Sequence, residues 1–483
     1  MRGVQRAAER GRLTVYELEF SVLTGPPPAA SGQDFLIQPA ESASLLGAYH
    51  ALRRETFVEE QGLFAGSDRD DIDDDPRTVV LVATESGGAV LGGVRVAPAT
   101  DGVDLGWWLG SRLVVDRRAR NTRGLGTALV RAACAYVESC GVLRFDATVQ
   151  LANEPMFSRL GWKNVGAAMV AGVPHVAMRW PIDRVERLVR STKSVLAETL
   201  APLMTGAESL GGDGYRGDDG APVPGSDLVA ACDAIVPSMV QRDPEWAGWC
   251  AALVNLNDLS AMGAQPVGML DAVGAPDRST LVRVIRGLSR AGRMWNVPIL
   301  GGHTQLGVPA ALSVTALGRA DTPVPAGGGR VGDALRLTAD LGGGWRPGYT
   351  GQQWDSTSWR TSEELAAMGS FVARTRPAAA KDVSMAGLAG TTGMLAEASG
   401  TGAVLDVAAI PVPDGAAMGD WMSCFPGFAM VTADRPGRGV APAGPATSAI
   451  CGQLTNEPGV GLRWPDGVIT RAVRSTVTGL GRA

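Results

Sequence analysis

The most constraining feature is a strand that runs through a two-glycine loop straight into a helix. It reads Val114-Val115-Asp116, then Arg123-Gly124-Leu125-Gly126-Thr127, then an apolar stretch to Ser139. Such a junction needs an α/β layout. Its successive backbone N–H groups and the positive helix end suit a pyrophosphate, with Arg123 as a counter-charge. Taken alone, the pattern serves a structural turn equally well. Around it, residues 35–183 alternate helix and strand. The runs 78–84 and 90–96 flank Gly87 and Gly88 and predict a β-hairpin, and 127–139 predicts a helix before a strand at 144–149.

The chain has 483 residues, so two to four domains are expected. Residues 1–33, with Pro26, Pro27 and Pro28, read as a loosely ordered leader, and 34–183 as a first module. Apolar residues at helical spacing over 185–204 predict a packing helix within a connector at 184–210. A second module divides into lobes at 211–322 and 328–465 across the Pro/Gly-rich joint 322–332, leaving a tail at 466–483.

Hydrophobic residues make up 45% and charged residues 19%, the balance of a globular chain. The net charge of −5 argues against a nucleic-acid partner. No run of about 18 apolar residues is present, so no membrane partner is expected. The six cysteines are scattered without a CxxC pair and there are three histidines, which fits a reduced cytoplasm and disfavours a His-rich metal site.

The second module carries carboxylates at turns beside apolar elements: Asp218 and Asp219 in Gly217-Asp218-Asp219-Gly220, then Asp233, Asp258 and Asp382. Mg²⁺ prefers oxygen ligands and bridges phosphate oxygens, so these five are the candidate metal ligands. The Gly-Asp and Gly-Gly turns, including Gly217, Gly301 and Gly302, would leave backbone N–H groups free for phosphate. His303 serves a substrate contact or a turn cap equally.

Two resemblances sharpen these expectations. Residues 114–129 resemble motif A of the GNAT acetyltransferases, (Q/R)xxGxG, with Asn121 where Gln or Arg is usual. Asn153-Glu154-Pro155-Met156-Phe157-Ser158-Arg159-Leu160-Gly161-Trp162 resembles that family's Asn…Tyr-x-x-x-Gly-Phe element. The resemblance implies acetyl-CoA or another acyl-CoA, with Val115 beside the pantetheine arm. Arg123, Gly124, Gly126 and Thr127 would lie on the pyrophosphate, and Asn153 on coenzyme A. The family's frequent general acid, a Tyr, is Phe157 here and cannot donate a proton. Residues 54–61 with the acidic run 68–75 resemble a GNAT subgroup near the acyl-homoserine-lactone synthases. That makes Glu60 the first candidate base, and Asp71 and Asp73 the next; a solvated acidic loop is the competing reading of the run.

Gly217-Asp218-Asp219-Gly220, Asn255 to Ala264, Gly301-Gly302-His303-Thr304 and Lys381 to Gly390 occur in the order of the AIR synthetase superfamily, which they resemble. Thiamine-monophosphate kinase and selenophosphate synthetase belong to it. The resemblance implies α/β and α+β architecture: a GNAT fold followed by a β-rich dimerising N-lobe and an α/β C-lobe. It also implies ATP with Mg²⁺, contacts from Gly217, Asn255, Gly301, Gly302 and His303, and a homodimer through the N-lobe. Met385 stands where an Asp is frequent. The whole chain resembles bacterial fusions encoded near nitrilases, which implies a bifunctional enzyme acting on small nitrogen-containing metabolites. A nucleotide- or acyl-CoA-binding regulatory protein is the alternative.

Overall fold

The computed structural model describes residues 35–122 and 124–483. The leader at 1–33 and Arg123 lie outside the described residues. The described residues form two compact units: one holds 35–73, Val79–Arg95 and Arg112–Ala132, the other Asp74–Thr78, Val96–Ser111 and Ala133–Ala483.

In the first unit, strand β1 (Leu36–Pro39) pairs antiparallel with β2 (Val79–Thr84). β3 (Val90–Pro98) and β4 (Trp107–Val115) follow as predicted around Gly87 and Gly88. Beneath them lies the helix Ala43–Arg54, capped by Ser42 Oγ, which accepts from the Leu45 N–H. Tyr49 and Leu52 of this helix pack on Val80, Val82 and Val114. The loop after β4 turns on Asp116, whose carboxylate accepts from the Arg118 N–H, and leads into the helix Leu125–Ser139.

The second unit contains β5 (Arg144–Gln150), β6 (Lys163–Val170) and β7 (Val173–Trp180). The start of β4 pairs parallel with β5, and β5 antiparallel with β7, which pairs with β6. The connector is not one helix. It breaks after Arg184–Thr192 and resumes at Leu196–Leu200. The Ser191 and Thr192 hydroxyls both donate to the Leu188 carbonyl and Ser194 Oγ to that of Arg190, so side chains take up acceptors of the last turn.

Next comes a five-stranded sheet ordered β11-β10-β12-β9-β8, formed by β8 (Ala221–Pro222), β9 (Leu228–Ala234), β10 (Gln265–Ala275), β11 (Ile299–Leu306) and β12 (Ala311–Arg319). One face buries Val229, Ala231, Met269, Val273, Leu312, Val314 and Ala316, the period-two pattern of a half-buried sheet. It packs on the helices Pro244–Ala261 and Arg278–Met294. These cross at two glycines: a Cβ on Gly248 would stand 2.2 Å from the Val284 carbonyl, and one on Gly287 2.0 Å from that of Glu245. That close approach lets the Pro244–Ala261 helix sink almost wholly into the core.

The last lobe is a seven-stranded sheet running Ala379–Asp382, Ala429–Asp434, Ala334–Ala339, Thr447–Thr455, Gly402–Asp406, Val460–Arg463, Ile469–Val473. The apolar helix Gly387–Ala398 lies against it, as does the connector through Val185 and Val189. Among the described residues no helix is long and apolar enough to cross a membrane.

Candidate functional site: a buried carboxylate cluster

Asp219 comes from the turn before β8, Asp258 from the last turn of the Pro244–Ala261 helix, and Asp382 from the end of the Ala379–Asp382 strand. Their carboxylate oxygens all lie within 4.8 Å of one another. Two oxygens opposite each other on one Mg²⁺ stand about 4.2 Å apart. The triad therefore fits a hard divalent cation after a small side-chain adjustment, and its all-oxygen chemistry suits Mg²⁺.

Without a cation, like charges this close resist ionisation. Burial first, and then the neighbouring Asp382, Asp233 and Asp219, push Asp258 well above the carboxylate range. Burial and Asp219 do the same to Asp382, against the pull of Lys381. Lys381 Nζ sits 2.5 Å from Asp219 and 3.4 Å from Asp218. Burial alone would lower its pKa, but the charges of Asp219 and Asp218 raise it, so it stays an ammonium. Lys381 opens the stretch Lys381 to Gly390, whose sequence alone gives the lysine no role. It is the buried cation that balances Asp218 and Asp219.

Asp218 has another job. Its oxygens accept the Ala326 N–H at 2.6 Å and the Asp219 N–H at 2.8 Å, and burial pushes its pKa up to about 6 despite Lys381. It ties the Asp219 turn to the joint between the lobes and stands outside the triad. Asp233, on β9, is an exposed residue whose carboxyl is still raised, by desolvation first and by Asp219. Asn255 is buried, accepts the Asp233 N–H at 3.2 Å and donates to the Ala251 carbonyl, so its amide positions β9. Gly217 has a φ of 68°, and Leu480 from the tail fills the space beneath it.

The expectation of a turn at Gly301-Gly302 is corrected. Both lie inside β11, which pairs parallel with β10. Gly302 is required there because a Cβ would meet the Asp271 carbonyl at 2.4 Å. His303 is exposed on the same strand.

In the first unit, Glu60 accepts both Nη groups of Arg120 at 2.5 Å, which lowers its pKa. As arranged it is a weak base. The acidic run is not a solvated loop: Arg53 bonds Asp68 and Asp73 at 2.6 Å each, and Arg95 bonds Asp73 at 2.7 Å and pairs with Asp70. Burial would raise Asp73, but the hydrogen bond from Arg53 and the charge of Arg95 hold it well below the carboxylate range, so it too is a poor base. Asp71 is exposed beside them. In the loop, Gly124 has a φ of 86°, a Cβ on Gly126 would stand 3.8 Å from Val115 Cγ2, and Thr127 lies in the first helical turn.

In the second unit, Asn153 is exposed at the start of the helix Glu154–Arg159. Phe157 is buried edge-on to Trp162, with ring centroids 5.3 Å apart.

Comparison with known proteins finds two families along the chain. Residues 46–162 match the acetyltransferase (GNAT) family. Residues 217–320 and 357–464 match the N-terminal and C-terminal domains of AIR synthase related protein. The chain is 36% identical over 241 residues to an uncharacterized protein, sll0787, of Synechocystis, a match covering 48% of this chain and 74% of that protein. It is 41% identical over 113 residues to thiamine-monophosphate kinase of Synechococcus elongatus, covering 21% of this chain and 35% of the kinase. Among solved structures, AaThiL complexed with AMPPCP and TMP is 20% identical with a TM-score of 0.42, covering 53% of this chain and 89% of that one. The chain thus belongs to the AIR synthase related family, and it joins to that family's two domains an acetyltransferase (GNAT) family domain.

Proposed function

We propose that the protein is a bifunctional enzyme: acyl-CoA-dependent N-acyl transfer in the first module, and ATP- and Mg²⁺-dependent phosphoryl transfer or activation of a small nitrogen-containing metabolite in the second. The carrying observation is the triad Asp219, Asp258 and Asp382, three carboxylates from three elements converging beside a buried lysine. Bound there, Mg²⁺ would bridge and neutralise phosphate oxygens. The chain's own part is then positioning. Asp258 and Asp382 fix where the charge sits, Lys381 balances Asp219, and Asp218 anchors the turn. The kinship with thiamine-monophosphate kinase, over its 113 matched residues, supports an ATP-using reaction.

For the first module, the Gly124–Thr127 loop would hold the acyl-CoA pyrophosphate on the helix Leu125–Ser139. A second reading has support here: Phe157 carries no proton donor and Glu60 is occupied by Arg120, so this module would bind acyl-CoA as a sensor. The N-lobe sheet leaves Leu270, Ile299, Leu300 and Leu306 exposed, which supports a homodimer through that face.

The test measures ATP consumption and coenzyme A release with a panel of amines, for the wild type and Asp258→Asn. The bifunctional reading expects both activities, with ATP turnover lost in the variant. Full ATP turnover in Asp258→Asn refutes the metal site. Tight acetyl-CoA binding without thiol release favours the sensor.

A further inference from the structure

A cavity lined in part by Met385, three residues beyond Asp382, opens beside the connector helix. It measures about 360 Å³ and lies between the connector helix and the C-lobe. Arg184 and Leu188 of the connector form one wall; Gln353, Met385, Ser423 and Phe425 form the other. Two links bring it to the metal site. Met385 stands three residues beyond Asp382 in one loop. Phe425 leads to Gly427, whose carbonyl accepts from Asn257, the neighbour of Asp258, at 3.1 Å.

The lining has two distinct characters. Trp246 Nε1 donates to Gln353 Oε1 at 2.8 Å, which leaves the amide nitrogen of Gln353 as the donor end. Asp420 accepts from Arg184 Nη2 at 2.8 Å and fixes the guanidinium, while Arg184 keeps further N–H groups beside the cavity. Beside these donors the lining is apolar, from Leu188, Met385 and Phe425. Met385, which is exposed, presents a thioether, so this end neither repels an anion nor offers a hard-cation ligand. The volume is that of about a dozen waters and lies within the range of small-molecule sites.

We propose that this cavity is the substrate site of the ATP-dependent module, and that it selects a small molecule with an anionic oxygen group on an apolar body. The anion meets Arg184 and Gln353; the apolar part lies on Leu188, Met385 and Phe425. Arg184, Leu188 and Gln353 fall outside the matched segments 46–162, 217–320 and 357–464, whereas Met385 and Phe425 fall inside the last, so the anion-binding groups come from outside the shared folds and most of the apolar lining from within one. The assignment rests on the ATP-dependent reading of the second module.

Calorimetry on the full chain tests it, with phenyl phosphate and benzoate as probes and benzyl alcohol and inorganic phosphate as controls. A nonhydrolysable ATP analogue with Mg²⁺ is titrated separately. At least one anionic aromatic probe is expected to bind tenfold or more tightly than either control, and the better of the two tells a phosphate-bearing from a carboxylate-bearing substrate. Arg184→Gln should weaken it tenfold or more. Leu188→Trp, which keeps the Arg184–Asp420 pair, should abolish it by filling the cavity, with the nucleotide titration unchanged in both. Equal binding of benzyl alcohol, no binding of either anionic probe, or unchanged probe affinity in Leu188→Trp overturns the proposal. If the probes behave as expected and the nucleotide analogue does not bind, the cavity's selectivity for an anion on an apolar body stands, and the ATP-dependent reading falls together with the cavity's role as that module's substrate site.

Discussion

Replacing Lys381 by Met isolates the electrostatic logic of the cluster. The ammonium is 4% exposed and sits 2.5 Å from Asp219 and 3.4 Å from Asp218. Removing it leaves Asp218, Asp219, Asp258 and Asp382 crowded together without their cation. Breaking a buried pair from one side costs about 3–5 kcal/mol. At about 2–4 °C per kcal/mol for a domain of this size, that is a fall in melting temperature of roughly 6–20 °C in a chelator. The same change frees Asp219 for metal, so Mg²⁺ should bind the variant more tightly than the wild type. Saturation at a hundredfold excess over the dissociation constant restores about 2.7 kcal/mol. The assay is a thermal scan of both proteins in chelator and across a Mg²⁺ titration. The expected result is a lower apo melting temperature and a larger Mg²⁺-induced rise in the variant. An unchanged apo melting temperature, or a smaller Mg²⁺ response than the wild type's, refutes the reasoning.

Other consequences follow from the same geometry. Asp258 and Asp382 have folded pKa values raised above the roughly 4 of an unfolded carboxyl. Their contribution to apo stability is therefore complete below about pH 4 and is lost as pH rises through the folded values. Melting in chelator between pH 5 and 8 should show a decline that Asp258→Asn and Asp382→Asn flatten, whereas Mg²⁺ should bind more tightly as pH rises; a decline unaltered by both substitutions contradicts this. Arg144, almost wholly buried, donates to Asp466 at 2.9 and 2.7 Å and lies 3.9 Å from the Trp107 ring centroid. Asp466→Ala should lower stability by about 1.5–3 kcal/mol in denaturant melts, the worth of hydrogen bonds to a charged group, with Asp146 still holding the guanidinium. Arg120→Gln removes the hydrogen bonds that depress Glu60, so if acyl transfer uses Glu60 as base, the acid limb of its pH–rate profile should move upward. An unmoved limb excludes Glu60.

Much of this cluster was legible in sequence because its carboxylates sit at punctuated positions. Asp219 lies between glycines, Asp258 ends a long apolar helix and Asp382 ends a buried strand, so each could be named before any geometry was known. Their grouping into a triad could not. Asp218 and Asp219 are neighbours, yet one turns to the Ala326 N–H and the other to the cation site, a choice made by a residue 108 positions away. The acidic run 68–75 shows the same limit. Its partners, Arg53 and Arg95, flank it at a distance and bury it, which local charge patterning cannot reveal. Gly301-Gly302 carries the composition of a turn and the geometry of a strand, because its pairing partners Leu270 and Asp271 on β10 lie 31 residues upstream. Helix and strand positions in the first module were easier, since the hairpin and the Leu125–Ser139 helix are set by nearby residues. The connector's break depends on hydroxyl groups that compete with the backbone, a weak signal within an apolar stripe.

The account's central claim is that Asp219, Asp258 and Asp382 together hold Mg²⁺ with a nucleotide. The most direct measurement is calorimetric titration of ATP into the purified chain with and without Mg²⁺, repeated on Asp382→Asn. The account predicts saturable binding that requires Mg²⁺ in the wild type and is weakened at least tenfold in the variant. Binding that ignores Mg²⁺, or an Asp382→Asn variant that binds as the wild type does, would contradict it.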